Sequence, residues 1–193
     1  MQLPQLVHVD GRTTVRPEIE PGVLFPGSFN PLHIGHLRLA KLAELRTGRV
    51  VHFELSIRNV DKPPLTQEII SQRKAQFHQV APLWLTDAPT FLEKVTLFPG
   101  WQFVLGMDTA VRLIDAKYYQ KGSYGLDAAR DAFLACGTRF LVAGRVDAAG
   151  QFRTGSELSP PAGWESLLEV LTEQDFREDI SSSELRQANP QNG

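Results

Sequence analysis

Apolar positions along the chain fall into short runs, separated by polar loops and by stretches with helical spacing. Val23–Phe25 is one such run; it ends in the breaker-rich Pro26-Gly27-Ser28-Phe29-Asn30-Pro31, beyond which Leu39, Leu42 and Ala43 recur at helical intervals. That order predicts strand, tight loop and helix. Gly48 stands where a helix ends, and Val50–Leu55 opens a second β-branched and aromatic run, which completes a βαβ unit. The alternation repeats with a polar loop over 56–65, a helix over 67–81 closed by Pro82, and a short strand at Trp84–Thr86. A helix over 90–98, a buried strand over Trp101–Gly106, helices over 108–116 and 126–136, and a last core strand over Arg139–Arg145 follow. Strands alternating with helices predict an α/β fold, a Rossmann-like three-layer α/β/α arrangement with a mostly parallel sheet of about five strands.

Residues 1–22 contain Pro4, Pro17 and Pro21 and show neither periodicity, so they read as an extended lead-in. Residues 23–189 read as a single domain, with a surface excursion over 146–163 and a polar tail over 190–193. At 193 residues and 42% hydrophobic content the chain can bury its own core, which excludes global disorder. No apolar run reaches the roughly 18 residues a membrane helix needs, and the first residues lack the pattern of an export signal. The single cysteine, Cys136, closes no intrachain disulfide, so the expected setting is cytoplasmic. A net charge of −2 gives no bias toward nucleic acid or membrane, and any anion site must therefore be local. Homo-oligomer formation is compatible with the sequence and not specified by it.

Gly27-Ser28-Phe29-Asn30-Pro31-Leu32-His33-Ile34-Gly35-His36 lies at the carboxyl end of the first βαβ strand, where open parallel sheets bind ligands. Gly27 would let the backbone approach a bound group, and Pro31 stiffens the loop. His33 and His36 lie three apart on the first turn of a helix whose amino end offers unpaired N–H donors; the combination suits phosphate. With no cysteine pair or further histidine pair, no metal ligands are assigned. Near the other end, Ile180-Ser181-Ser182-Ser183-Glu184-Leu185-Arg186 has capping-box character, with Arg186 one turn in. Hydroxyls and a guanidinium converging there suit a polyphosphate.

The two segments together resemble the nucleotidyltransferases that carry GxFxPxHxGH and ISSTxxR-like signatures. The resemblance runs from Val23 to Arg186, with Ser183 in place of the usual threonine. Asn30 resembles the nicotinamide and nicotinate mononucleotide adenylyltransferases, since cytidylyltransferases and pantetheine-phosphate adenylyltransferases usually carry aspartate there. Gly106-Met107-Asp108 is similar to their GxD after the fourth strand, and Lys62-Pro63-Pro64-Leu65 to their proline-containing loop. These enzymes commonly place a tryptophan after the GxD helix; this chain has Tyr118 and Tyr119 there, so the aromatic face would come from a tyrosine, Trp84 or Trp101.

The resemblance implies transfer of AMP from ATP to a pyridine mononucleotide, yielding a dinucleotide and pyrophosphate, a step of NAD biosynthesis. It assigns His33, His36 and Arg186 to catalysis, and Gly27, Ser28, Phe29, Gly35, Ser182 and Ser183 to ATP. Asn30, Lys62, Asp108 and Trp84 fall to the acceptor nucleotide, and Mg²⁺ is expected on the triphosphate, held mainly through phosphates. His33-Ile34-Gly35-His36 also matches an element of class I aminoacyl-tRNA synthetases, but the chain lacks their KMSKS segment and room for a tRNA-binding domain. The same reaction with CTP or another phosphate acceptor, and a nucleotide-binding domain without turnover, are the competing readings.

Overall fold

A computed structural model describes residues 3–60, 63–119, 125–146, 152–153 and 158–188. The chain divides into two compact units, one formed by Met1–Pro89 with Ile180–Gly193 and the other by Thr90–Asp179.

In the first unit, β1 (Gln5–Val7), β2 (Thr13–Val15), β3 (Val23–Pro26), β4 (Val51–Ser56) and β5 (Leu83–Thr86) lie in the order β2-β1-β5-β4-β3. The last three are parallel, with Val23 opposite Val51 and Phe53 opposite Leu83. Helix α1 (Ile34–Thr47) buries Leu39, Ala40 and Ala43 and stops at Gly48, whose φ of 67° lies in the left-handed region that ends helices. Helix α2 (Gln67–Ala75) starts at Thr66, whose hydroxyl accepts from the Ile69 N–H at 3.3 Å. The core is aromatic: Phe25, Phe29, Phe53 and Phe77 pack at ring separations of 5.1–5.8 Å.

Two features differ from the sequence pattern. The lead-in forms an antiparallel hairpin, closed by His8 N–H to Arg12 O at 2.8 Å, and β1 extends the sheet by pairing antiparallel with β5. Three-residue strands are too short to show alternation, and pairing with β5 is what fixes them. Helix α2 ends six residues before Ala81: Gln79 takes φ 58° and donates its N–H to Val9 O of the hairpin at 2.7 Å, a partner outside the helix.

In the second unit, β6 (Gln102–Gly106), β7 (Arg139–Ala143) and β10 (Leu168–Val170) form parallel pairs in that order, and β8 (Arg145–Val146) with β9 (Phe152–Arg153) makes a short antiparallel ribbon. Helices α3 (Phe91–Leu97), α4 (Met107–Leu113) and α5 (Leu126–Ala135) accompany them. Phe103, Phe133, Phe140 and Trp164 are fully buried. The mostly parallel α/β organisation is the one the alternation predicts. Strands outnumber the expected five, because β1, β2 and β10 carry no sequence periodicity. Among the described residues no helix is long and apolar enough to cross a membrane.

Candidate functional site

Strand β3 hands the chain to α1 through the loop Gly27–His33. Phe29 takes φ 44° and turns its ring inward, leaving 1% of the residue exposed. A Cβ on Gly27 would stand 2.6 Å from that ring, so the missing side chain at Gly27 makes room for Phe29. Phe29 thus turns its side chain into the core and not toward a bound group, and Gly27 leaves the space that its ring fills. Ser28 is exposed on the same loop.

The inward ring builds the surroundings of His36, which is packed edge-on by Phe29 at 5.2 Å and by Phe25 at 5.9 Å and stacked against His33 at 3.7 Å. Burial, and secondarily the neighbouring His33, push the His36 pKa from 6.5 to about 3, so at neutral pH its imidazole is uncharged. Its Nδ1 accepts the His33 backbone N–H at 3.2 Å, which puts the ring proton on Nε2. His36 is therefore a neutral N–H donor held in a fixed orientation. Gly35 is buried, and a Cβ there would crowd the His33 ring and the Ile180 side chain, each at 3.1 Å.

Ile180 introduces the carboxyl-terminal segment. Ser181 and Glu184 form the capping box at the start of α6 (Ser182–Ala188), with Ser181 N–H to Glu184 Oε2 at 2.9 Å and Glu184 N–H to Ser181 Oγ at 3.2 Å. The Ser182 hydroxyl donates to Pro31 O at 2.8 Å, and Arg186 Nη1 donates to Asn30 O. The two sequence signatures thus form one structure. The Ser183 side chain and Lys62 lie outside what is described.

Helix α2 supplies two residues that the sequence reading does not single out. Arg73 Nη1 and Gln76 Nε2 both donate to Phe29 O at 3.1 Å, and Gln76 Oε1 accepts the Leu32 N–H at 2.7 Å. Arg73 and Arg186 thus put two guanidinium groups on the same loop, and burial, then the like charge of Arg186, lowers the Arg73 pKa. The only hint in the sequence is the spacing of three between Arg73 and Gln76, which puts them on one helix face.

Other expected positions fall elsewhere. Trp84 lies on β5 with 3% exposure and its ring near His52, so it belongs to the core and offers no platform to a substrate. Trp101 packs on Phe98, and Tyr119 is buried with its hydroxyl donating to Leu113 O at 2.6 Å. Of these four aromatic residues Tyr118 alone is half-exposed, with the Lys117 ammonium 4.8 Å above its ring. Asp108 is exposed in the first turn of α4, after β6, in the second unit. Among the described residues no group of three histidine, cysteine or acidic side chains could hold a metal ion.

A donor imidazole and two guanidinium groups around one loop suit a polyphosphate. The family model described as cytidylyltransferase-like matches residues 24–188, which takes in every element of this loop and its clamps. No curated protein matches the chain.

Proposed function

We propose, from the premise that the chain belongs to the cytidylyltransferase-like family and is a nucleotidyltransferase, that it transfers AMP from ATP to nicotinamide or nicotinate mononucleotide. The observation that carries this reading is the pair of bonds from Ser182 and Arg186 to the carbonyls of Pro31 and Asn30, across separations of 151 and 156 residues. They bring the polyphosphate-suited segment to the histidine loop. The pyridine acceptor rests on the GSFNPLHIGH resemblance, Asn30 above all.

In this reaction an oxygen of the acceptor 5′-phosphate attacks the α-phosphorus of ATP, the bond to the bridging oxygen breaks, and pyrophosphate leaves. Both reactants are anions, so the protein must align them and stabilise the charge that grows on the transferring group. Neutral His36 offers its Nε2–H to that group without a proton having to move first. His33 lies against it as the second imidazole. Arg186, through the guanidinium hydrogens not given to Asn30 O, holds the leaving phosphates beside the loop that Ser182 pins through Pro31 O, and Ser28 and the backbone at Gly27 and Gly35 line the nucleotide. The roles of Asp108 toward a ribose hydroxyl and of Lys62 toward the acceptor rest on the resemblance alone. Mg²⁺ fits as an ion carried by the triphosphate and water, where it neutralises phosphate charge.

The test is pyrophosphate release with ATP and Mg²⁺ in the presence of nicotinamide mononucleotide, nicotinate mononucleotide, phosphopantetheine or no acceptor, and with CTP in place of ATP. The expected result is release with a pyridine mononucleotide, cut about 10²-fold or more in His36→Ala with the fold retained. Release only with CTP or with phosphopantetheine would move the substrate assignment. Silence with every acceptor despite ATP binding would leave a nucleotide-binding domain without turnover.

A further inference from the structure

The loop Phe29–Leu32 has no regular secondary structure, yet each backbone group named so far on it is held by a side chain from α2 or α6. Phe29 O takes Arg73 and Gln76, Asn30 O takes Arg186, Pro31 O takes Ser182, and Leu32 N–H goes to Gln76. The Pro31–Leu32 peptide unit is planar and is therefore gripped on both edges, its carbonyl by Ser182 and its N–H by Gln76. The next N–H along the chain is that of His33, the group that bonds His36 Nδ1. Orientation of the donor imidazole thus depends on that peptide plane. A loop of this kind, carrying Phe29 in the left-handed region, keeps one shape only if its surroundings impose it.

We infer that Arg73 and Gln76 of α2 are positioning residues for the reaction: they hold the Phe29–Leu32 backbone so that His33 and His36 meet the phosphates in one fixed arrangement. Gln76 is the more exposed to test, because it alone bridges the two ends of the segment. Its carboxamide uses the donor on Phe29 O and the acceptor on Leu32 N–H, a pairing that a leucine cannot make and a glutamate can make in part. Arg73 adds a second donor to Phe29 O and brings a positive charge to the face that Arg186 shares.

The kinetic arm of the test rests on the nucleotidyl transfer proposed above; a spectroscopic arm does not. Gln76→Leu, Gln76→Glu and Arg73→Met are compared with wild type for kcat, KM for ATP, and the pH titration of the His36 ring followed by NMR. For Gln76→Leu, kcat falls by about 10²-fold, the scale of a slight misplacement of reacting groups, while KM for ATP changes little. The His36 ring, silent from about pH 5 to 8 in wild type, titrates within that range in the variant as its contacts loosen. Gln76→Glu, which keeps the bond to Leu32, recovers part of both, whereas simple loss of stability would scale kcat without moving the titration. A folded Gln76→Leu protein with wild-type kcat and a wild-type ring titration overturns the inference. If that variant does not fold, Arg73→Met and Gln76→Glu decide on the same two readouts, and unchanged values in both overturn it equally. Absence of pyrophosphate release from wild type would count against the proposed reaction, and the ring titration would still decide the clamp.

Discussion

Each unit of the molecule is built around an aromatic cluster, and the two clusters enclose different things. Phe25, Phe29, Phe53 and Phe77 pack mostly edge to face in the first unit, and His36 is one of the rings in contact with them. In the second unit Phe103, Phe133 and Phe140 pack in the same manner against Phe91 and Trp164, with apolar neighbours throughout these contacts. The same packing chemistry surrounds only apolar groups in one place and depresses the pKa of an imidazole in the other. A titratable ring inserted into a dry aromatic wall loses its charge, and with it the capacity to be an ordinary cation near phosphate. What remains is a directional donor.

That contrast predicts two alanine substitutions of similar cost and different consequence. Phe140→Ala and Phe29→Ala should each lose about 3–5 kcal/mol of stability in denaturant unfolding. Only Phe29→Ala should raise the His36 pKa toward 6.5. Equal behaviour of His36 in both variants would erase the distinction between the clusters. A smaller perturbation of the same wall comes from Gly27→Ala, whose Cβ would press on the Phe29 ring at 2.6 Å. The overpacking should cost about 1–3 kcal/mol and lower turnover together with stability; a variant of wild-type stability would show that the ring can move aside.

Acid stability sharpens the comparison further. The folded-state pKa of His36 lies near 3 and its ordinary value is 6.5, so between those limits the unfolded chain binds the proton and the folded one does not. Stability from this group is present above about pH 6.5 and is lost as pH falls toward 3, by on the order of 2 kcal/mol at pH 5. The stability difference between wild type and His36→Asn should therefore shrink on acidification. Parallel curves would mean that His36 titrates normally. His52, also half-buried and depressed to about 4 by desolvation, should contribute in the same direction, so acid sensitivity persists in the variant. The smallest effect expected is for Arg186→Lys, where a point charge replaces the planar fork on Asn30 O: KM for ATP should rise by about tenfold, equivalent to about 1.4 kcal/mol. An unchanged KM would remove Arg186 from phosphate binding.

Much of the candidate site is legible in the sequence because its two parts are local. Glycine, proline and two histidines between a strand and a helix, and a serine cluster with glutamate and arginine, each declare their chemistry within ten residues. Their union was legible only through the family resemblance, since the bonds joining them span most of the chain. Arg73 and Gln76 escaped because they serve backbone groups 44 to 47 residues away and carry no motif of their own. The inward turn of the Phe29 ring over Gly27 is hidden for a related reason: which way a side chain turns depends on a left-handed φ that the residue type does not announce. Trp84 illustrates the same limit, an aromatic residue at a strand end whose burial depends on what packs over it. In the fold, strands of three residues at β1, β2 and β10 are stabilised by their neighbours and leave no periodic trace.

Whether His36 is the neutral Nε2–H donor proposed for the reaction is read from ¹⁵N NMR of its ring in the intact protein, with and without ATP. The expected result is the Nε2-protonated neutral tautomer across about pH 5 to 8, with the Nε2 resonance shifting when ATP binds. A ring that titrates near 6.5, or one that carries its proton on Nδ1, would contradict it.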